Sequence, residues 1–345
     1  MTSAQQSIPV LNLQQPNHDL LPTLRHTMTD VGFFYIKNFD FPEDVIERLV
    51  NLLPALFSIP SNEKSQIELE QSKHFLGYSA LRSETTAGKA DNREQFEFAT
   101  LPHNHMSSST MPLYENLFGP NQYPVSLPTA RCAIDNYVVA VSNLAVQLIA
   151  LVAEALSLPA SAFEPFLSGS NRLNIVRYPG SVTGEVSQGV GPHKDSSGLL
   201  TLLLQASPTS VRGLQVLTKS GEWIDVPNVP NTLVVNMGQL FEVLTHGTCK
   251  ATTHRVLGTS SERFSVPLFV GARLSITKEE AVTAFADHFS QQGTESEEGA
   301  KVDSPFLRGK YNTWGESQLR TKIRSHRKAG QRFYAGVYDQ YINDS

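Results

Sequence analysis

Hydrophobic residues follow two different patterns along this chain. Between residues 130 and 157 they recur every three to four positions, which predicts an amphipathic helix packed on a core. The repeating positions are Tyr137, Val141, Leu144, Leu148, Val152 and Leu156. From about residue 171 to residue 275 they form short aliphatic runs separated by turn residues, which predicts closely spaced strands. Further helices are predicted near residues 17–31 and 43–56, and a helical tail near residues 315–330.

The order of these elements restricts the fold class. Strands cluster between helical flanks instead of alternating with helices, which disfavours a doubly wound parallel sheet. The pattern therefore predicts a mainly β core with helices packed around it. A chain of 345 residues with 40% hydrophobic content is long enough for one large structural unit.

Charge and cysteine content exclude several classes of protein. The formal net charge of −5 argues against nucleic acid as a general partner. Polar residues interrupt the long apolar stretch at residues 138–158, so no membrane span is predicted, and the polar N-terminus lacks the pattern of a signal peptide. Two cysteines, Cys132 and Cys249, give no disulfide framework. We therefore expect a cytoplasmic protein, with its oligomeric state left open.

The candidate chemistry begins with His193 and Asp195. In an extended strand, residues two apart point to the same side, so both side chains could face one metal ion while Lys194 points away. A single His-x-Asp is weak evidence, because a surface strand end can contain one by chance. Here it is followed by the apolar run of residues 199–204, and His254 lies about sixty residues further on. Two histidines and one carboxylate on one face of a metal leave open positions for other ligands, as in non-haem iron(II) oxygenases.

An arginine and a serine follow the second histidine. Arg263 and Ser265 share one strand face and could offer a guanidinium fork and a hydroxyl to a carboxylate. The same tripeptide pattern occurs again at Arg273 and Ser275, so the pattern alone does not choose between the two pairs. The distance from His254 must decide.

These residues and their surroundings resemble the isopenicillin-N-synthase-like branch of the iron(II)/2-oxoglutarate-dependent dioxygenases. The resemblance covers most of the chain and includes the stretches 198–205, 213–217, 223–226 and 233–238 in order and spacing. It implies a double-stranded β-helix of the jelly-roll type, with iron(II) held by His193, Asp195 and His254. In that family the arginine lies about ten residues after the distal histidine, which selects Arg263, nine residues after His254.

The resemblance also implies the rest of the site. Arg263, Ser265 and Tyr178 would hold the distal carboxylate of 2-oxoglutarate, and Asn174 and Val176 share the strand face of Tyr178 as possible additional pocket residues. Many relatives carry Asn where this chain has Val176. No catalytic acid or base is expected beyond the metal ligands. Residues 1–105 would form an N-terminal region, 106–170 a helical segment, 171–275 the catalytic core and 276–345 an insertion with a helical tail, together one structural unit.

The implied reaction is the oxidation of a small organic molecule, with dioxygen consumed and succinate and carbon dioxide released. Hydroxylation, desaturation, ring expansion or cyclisation would each fit, and secondary metabolism is the expected setting. We expect an aromatic or polyketide-like substrate, contacted by residues 80–92, the loop 181–190 and the tail around Trp314, Phe333 and Tyr334. The basic stretch 308–332 would either be a solvated helix face or approach an anionic substrate.

Two other classes remain as alternatives. An iron-dependent oxidase of the same branch would use no 2-oxoglutarate, and Arg263 with Ser265 would then bind the substrate's own carboxylate. A catalytically inactive ligand-binding barrel or a zinc hydrolase is the second alternative. The chain contains no His-Glu-x-x-His motif, and a mixed histidine and carboxylate site without cysteines favours iron(II) over structural zinc.

Overall fold

The computed structural model describes residues 8–86, 88–101, 110–181, 188–196, 198–291, 302 and 304–343. The strands in these ranges are β1 Val10–Asn12, β2 Phe33–Lys37, β3 Gly77–Ser79, β4 Thr85–Thr86, β5 Lys89–Ala90, β6 Glu94–Ala99, β7 Arg172–Tyr178, β8 Gln188–His193, β9 Leu200–Gln205, β10 Leu214–Leu217, β11 Trp223–Asp225, β12 Thr232–Met237, β13 His254–Leu257 and β14 Arg263–Phe269. The α-helices are α1 Asn17–Asp30, α2 Val45–Phe57, α3 Ser61–Gln66, α4 Thr129–Ala155, α5 Gln239–Leu244, α6 Lys278–Thr283, α7 Ala286–Gln291, α8 Pro305–Arg308, α9 Trp314–Ser325, α10 Arg327–Phe333 and α11 Ala335–Asn343.

Two sheets form the core. The larger sheet has eight strands in the order β1-β2-β12-β9-β14-β7-β6-β3, and the smaller has four in the order β11-β10-β13-β8. Apolar side chains from both sheets pack into one cluster, which includes Val176, Leu203 and Val234 from the larger sheet and Val216 and Val256 from the smaller. The sheets therefore lie face to face, as expected for a jelly roll, and the predicted fold class is confirmed.

The outer face of the larger sheet is covered by helices. In β9 the side chains of Leu202 and Leu204 join the cluster that contains helix α4, whereas Leu203 joins the cluster between the sheets. Because side chains alternate along a strand, burial on both faces explains why β9 appears as a nearly continuous apolar run. Two polar residues interrupt this run, Thr201 and Gln205, and both share the inner face of the strand with Leu203.

Helix α4 is the central helix of this outer layer. All six repeating positions identified in the sequence are buried, from Tyr137 to Leu156. By length and composition alone the helix could cross a membrane, with a mean hydropathy of 1.9 over its most apolar window. However, 56% of that window is buried inside the protein, and the core helix of a soluble protein passes the same test.

Strands from the N-terminal part of the chain extend the larger sheet. β2 pairs with β12 in antiparallel register, and β1 pairs with β2. On the other side of the sheet, β6 pairs with β7 along its whole length, with Glu97 opposite Asn174 and Gln95 opposite Val176. The N-terminal segment therefore supplies one wall of the space between the sheets.

The long helices α1, α2 and α4 agree with the sequence prediction in place and extent, whereas the shorter helices α3, α5, α6, α7, α8 and α11 were not predicted. The structure also differs from the prediction in the C-terminal tail. There, one predicted helix near residues 315–330 is divided into α9 and α10 at His326, whose backbone angles of φ −126° and ψ 68° are not helical. Thr313 and Glu316 form a reciprocal capping box that fixes the start of α9.

The packing of α4 predicts a specific stability difference between two neighbouring positions. Leu148 is fully buried, whereas Val146 is 55% exposed. Leu148→Ala should reduce the free energy of unfolding by about 2–5 kcal/mol because it leaves a cavity in the core. Val146→Ala should change it by less than about 0.5 kcal/mol. Urea unfolding of both variants measures the difference, and equal effects would contradict this orientation of the helix.

Candidate active site

The two candidate histidines face each other across neighbouring strands of the smaller sheet. His193 ends β8, His254 begins β13, and the two residues are register partners with ring centroids 4.3 Å apart. Each Nδ1 lies at hydrogen-bond distance from a backbone carbonyl two residues earlier, 2.8 Å from Gly191 O and 3.0 Å from Thr252 O. If each Nδ1 carries the proton, both Nε2 atoms are free to act as metal ligands.

Asp195 lies close to both histidines, although the strand ends before it. The sequence interpretation placed His193 and Asp195 in one extended strand, whereas β8 ends at His193 and Asp195 follows it by two residues. Asp195 Oδ1 nevertheless lies 3.7 Å from His193 Nε2 and 3.4 Å from His254 Nε2. Lys194 points elsewhere, as expected, and pairs with Glu242 in α5 at 3.1 Å.

The second oxygen of Asp195 is fixed by the opposite sheet. Asp195 Oδ2 accepts hydrogen bonds from Thr201 Oγ1 at 2.5 Å and from Asn236 Nδ2 at 2.7 Å. Its backbone carbonyl accepts a further bond from Gln239 N at 2.9 Å. These three bonds hold the carboxylate so that Oδ1 points towards the histidines.

The electrostatics of the three side chains are strongly coupled. Burial alone would raise the pKa of Asp195, but His254 and His193 hold it well below its ordinary value. Burial lowers the pKa of His193 to about 4, and the neighbouring His254 adds to the effect. Burial also disfavours a charged His254, but Asp195 outweighs it and raises the pKa of His254. His193 is therefore a neutral imidazole beside an ionised carboxylate near neutral pH.

This arrangement fits an iron(II) ion. The potential ligand atoms of His193, Asp195 and His254 all lie within 4.8 Å of one another. Two imidazole nitrogens and one carboxylate oxygen form the donor set that non-haem iron(II) sites use, with positions left open for other ligands. The neighbouring side chains of Thr201 and Asn236 supply the second layer of hydrogen bonds that metal sites require.

A small cavity of about 70 Å³ adjoins the metal-binding residues, and it contains the predicted 2-oxoglutarate residues. Arg263 and Ser265 lie on one face of β14 and are register partners of Tyr178 and Val176 in β7. The guanidinium of Arg263 lies 5.1 Å from the centre of the Tyr178 ring. Apolar side chains fill much of the remaining wall of this cavity.

Arg263 is the residue of this cavity that favours an anionic ligand. The residue is only 2% exposed, and its Nη2 donates to Gln205 Oε1 at 3.3 Å. Its Nη1 is buried without a hydrogen-bond partner among the described residues. A buried guanidinium with an unused donor is costly unless a ligand pairs with it, and a carboxylate matches its planar fork. The cavity therefore fits the distal carboxylate of 2-oxoglutarate.

The alternative Arg-x-Ser pair lies elsewhere. The Arg273 side chain is 37% exposed, bonds to Ser275 and forms an ion pair with Glu280. It lines neither the small cavity nor the larger one on the other side of His193. The choice of Arg263 from its distance to His254 therefore agrees with the geometry.

The larger cavity, of about 250 Å³, opens on the other side of His193 and Asp195. Asn174 lines both cavities, and Val176 lines the smaller one. Of the segments expected to contact substrate, residues 80–92 contribute Glu84 and the tail contributes Trp314. Phe333 and Tyr334 do not line the cavity; Tyr334 stacks on Phe75 instead. Residues 182–187 of the loop 181–190 lie outside the described residues.

Several residues of the site were not identified from sequence. Thr201 and Asn236 are polar residues inside apolar strands, a pattern that indicates a buried hydrogen-bonding role and could have revealed them. Gln95 and Glu97 were also not singled out from sequence, yet both line the larger cavity. Lys322 was one of several residues in the basic stretch, and it is the one that reaches Glu97, at 2.6 Å.

Comparisons with known proteins identify the family. Residues 8–126 match the family model described as non-haem dioxygenase in morphine synthesis N-terminal, and residues 170–272 match that of the 2OG-Fe(II) oxygenase superfamily. The 2-oxoglutarate-dependent dioxygenase frbJ of Dothideomycetidae sp. (strain 11243) is 41% identical over 357 residues, which cover 97% of this chain and 92% of that protein. A 2-oxoglutarate-dependent dioxygenase of Gibberella zeae is 31% identical, with 97% and 93% covered.

A solved structure supports the fold. A full-length Neurospora crassa protein, crystallised in complex with alpha-KG and 5-formyluracil, has a TM-score of 0.68 and 22% sequence identity, with 97% of this chain and 98% of that chain covered. The chain belongs to the 2OG-Fe(II) oxygenase superfamily and is a 2-oxoglutarate-dependent dioxygenase. Its cofactor is iron(II), and its cosubstrates are 2-oxoglutarate and dioxygen. The predicted family, enzyme class and cofactors are confirmed.

The hydrogen bonds to Asp195 predict an effect on metal affinity. Asn236→Ala removes one of the two side-chain donors to Asp195 Oδ2 and should weaken iron(II) binding about 10- to 100-fold. Anaerobic calorimetric titration with iron(II) measures the dissociation constant. The control is Asn228→Ala, because the Asn228 side chain bonds to Ser207 O and lines neither of the two cavities. Unchanged affinity in Asn236→Ala would contradict the orienting role.

The unpaired donor of Arg263 predicts an effect on cosubstrate affinity. Arg263→Leu should raise the KM for 2-oxoglutarate about 30-fold or more, because losing one partner of a buried charge pair costs at least about 2 kcal/mol. Arg273→Leu, at the other Arg-x-Ser pair, should leave that KM unchanged. Succinate release at varied 2-oxoglutarate concentration measures both. If Arg263→Leu instead raised only the KM for the oxidised substrate, Arg263 would bind the substrate's carboxylate.

Proposed function

We propose that this enzyme oxidises a small organic molecule in secondary metabolism. For a hydroxylation, one oxygen atom of dioxygen enters the product and the other enters succinate, with carbon dioxide released from 2-oxoglutarate. Desaturation, ring expansion and cyclisation are other possible outcomes of the same chemistry. The observation that carries the proposal is the buried, unpaired Nη1 of Arg263 in a cavity shared with His193, Asp195 and His254.

In this proposal each residue of the site has a defined task. His193, Asp195 and His254 would hold iron(II), which with 2-oxoglutarate supplies an oxidant strong enough to remove hydrogen from a C–H bond. Arg263, Ser265 and Tyr178 would bind the distal carboxylate of 2-oxoglutarate and fix its orientation. Thr201 and Asn236 keep Asp195 turned towards the metal position.

The two cavities beside the candidate metal ligands support oxidation of a bound small molecule. Leu203, Val256 and Phe269 give the smaller cavity a partly apolar lining. The larger cavity reaches His193 and Asp195 from outside and is wide enough for a small molecule. A substrate bound in the larger cavity would present a C–H bond to the metal position.

The setting of the reaction is inferred from the relatives and the cysteines. Two of the relatives, described above, are fungal 2-oxoglutarate-dependent dioxygenases, which supports a role in secondary metabolism. Cys132 and Cys249 are both free, and Cys249 is buried. Free cysteines agree with a reducing compartment, and we infer a cytoplasmic enzyme.

An anaerobic titration tests the proposed site. Iron(II)-loaded protein is titrated with 2-oxoglutarate while the weak visible charge-transfer band of the chelate is recorded. We expect the band in the wild type and its loss in His254→Ala, which lacks a metal ligand, and we expect oxygen to trigger succinate release only in the wild type. A protein that binds iron(II) but gives no band would favour the oxidase that does not use 2-oxoglutarate.

A further inference from the structure

Seven of the residues that line the larger cavity have Asp, Glu, Lys or Arg side chains. On one wall, β6 presents Gln95 and Glu97 from the same strand face, next to Asn174 of β7. From α9, the cavity is lined by Trp314, Gln318 and Lys322, which are spaced four residues apart on one helix face. Gln318 Nε2 also donates to Ser196 O at 2.9 Å, which ties α9 to the loop after Asp195.

Five of the charged residues that line this cavity, together with the buried Asp91 beside them, form what we call the ionic cluster. It contains three carboxylates and three cations: Glu84, Asp91, Glu97, Arg93, Arg172 and Lys322. Arg93 Nη2 lies 2.8 Å from Glu84 Oε2 and 3.4 Å from Asp91 Oδ2. Glu97 Oε2 lies 3.3 Å from Arg172 Nη1 and 2.6 Å from Lys322 Nζ. The cluster is therefore electrically balanced while presenting both signs of charge to the cavity.

Two carboxylates of the cluster are held in the ionised form near neutral pH. Burial alone would raise the pKa of Glu97, but Lys322 and Arg172 hold it below its ordinary value. Burial acts on Glu84 in the same way, and Arg93 and His326 outweigh it to lower the pKa. Burial also lowers the pKa of Lys322, an effect that the Glu97 carboxylate opposes.

Hydrogen-bonding capacity remains unused at this wall. Gln95 Nε2 donates to Glu84 Oε1 at 2.7 Å and to Glu97 Oε1 at 3.1 Å, which fixes the orientation of the amide. The amide oxygen of Gln95 and Oδ1 of Asn174 then have no partner in the described part of the chain. Because unpaired buried acceptors are destabilising, this wall favours a ligand with several N–H donors.

The part of the cavity that α9 lines offers hydrogen-bond donors. The ammonium of Lys322 carries three N–H groups, and Glu97 Oε2 is its single hydrogen-bond partner within the described ranges. Arg172 is different, because it also donates to the backbone carbonyls of Phe75, His74 and Leu117. Beyond its ion pair with Glu97, Lys322 therefore has N–H groups left for an anionic group of a ligand, whereas the guanidinium of Arg172 is held by backbone carbonyls.

We propose that the substrate is an α-amino acid, with its ammonium group against Glu97, Gln95 and Asn174 and its carboxylate against Lys322. The proposal rests on the proposed function, because the amino acid would be the molecule oxidised at the neighbouring metal position. Asn174 lines both cavities, so an amino acid held there lies directly beside His193 and Asp195. An uncharged aromatic or polyketide-like molecule would desolvate the ionic cluster without pairing with it, which disfavours such substrates.

A second metal ion is a poorer explanation of the same residues. Potential ligand atoms of Glu84, Glu97 and His326 lie within 4.8 Å of one another. However, Arg93 and Lys322 already contact the two carboxylates, at 2.8 and 2.6 Å. A divalent cation would have to displace or approach both cations, which like-charge repulsion opposes.

Substrate discrimination by the wild-type holoenzyme tests the proposal first. The twenty proteinogenic L-amino acids are tested singly, with iron(II) and 2-oxoglutarate, for stimulated succinate release and for a raised Tm. For the best of them, the decarboxylated amine and the deaminated acid are compared. We expect at least one amino acid to be active and both analogues to bind about 10- to 100-fold more weakly, because each loses charged hydrogen bonds.

Variants of Lys322 then test whether this residue contacts the carboxylate of the amino acid. Lys322→Gln should raise the KM for the amino acid about tenfold or more and leave the KM for 2-oxoglutarate unchanged. In this variant the preference for the amino acid over its decarboxylated amine should disappear. Lys322→Arg should restore part of that preference. Lys328→Gln is the matched control, because Lys328 is 80% exposed and pairs with Glu70 on the surface.

The outcomes separate this proposal from the proposed function. The amino-acid assignment is overturned, and the oxygenase remains, if no amino acid stimulates succinate release while the charge-transfer band with 2-oxoglutarate forms. The same holds if benzyl alcohol, tested as an uncharged aromatic compound, stimulates succinate release more than any amino acid. If the band itself does not form, the proposed function fails. A Lys322→Gln variant that folds, yet keeps full preference for the amino acid over its amine, also overturns the assignment of Lys322.

Discussion

The carboxylate of Asp195 connects the two sheets of this protein, and the site depends on that connection. One oxygen accepts hydrogen bonds from Thr201 in β9 and Asn236 in β12, both in the larger sheet. The other oxygen faces His193 and His254, which belong to the smaller sheet. Because both sheets position one side chain, the spacing between them sets the geometry of the candidate metal ligands. The apolar cluster between the sheets keeps that spacing fixed.

Much of the fold and the centre of the site could be predicted from sequence, because burial produces regular patterns. The period of α4 and the apolar run of β9 follow from burial, and the family resemblance joined His193, Asp195 and His254 into one site. The wall of the larger cavity could not be predicted in the same way. A polar residue in a strand, such as Glu97, has the same sequence pattern whether it faces solvent or a cavity. Only its pairing opposite Asn174 shows which face it occupies.

The C-terminal tail shows that sequence also does not predict which face of a helix lines the cavity. The basic stretch contains several lysines and arginines, and which of them enters the cavity depends on the phase of α9. That phase is fixed by the capping box at Thr313 and by the break at His326. One residue of the stretch, Lys322, reaches Glu97, whereas Lys328 is 80% exposed on the surface. Local sequence composition contains no information about this rotation.

The position of the ionic cluster along the chain has a consequence for how such an enzyme can change. The candidate metal ligands and Arg263 all lie within residues 170–272, the segment that matches the oxygenase superfamily. Glu84, Arg93 and Glu97 come from an earlier segment, and Lys322 comes from a later one. Arg172 and Asn174 lie inside the matched segment, but the other residues of the proposed substrate site lie outside it. Most of that proposed site is thus encoded apart from the candidate metal ligands. Exchange or drift of the flanking stretches can give the same oxidant a new substrate while every residue that generates it is retained.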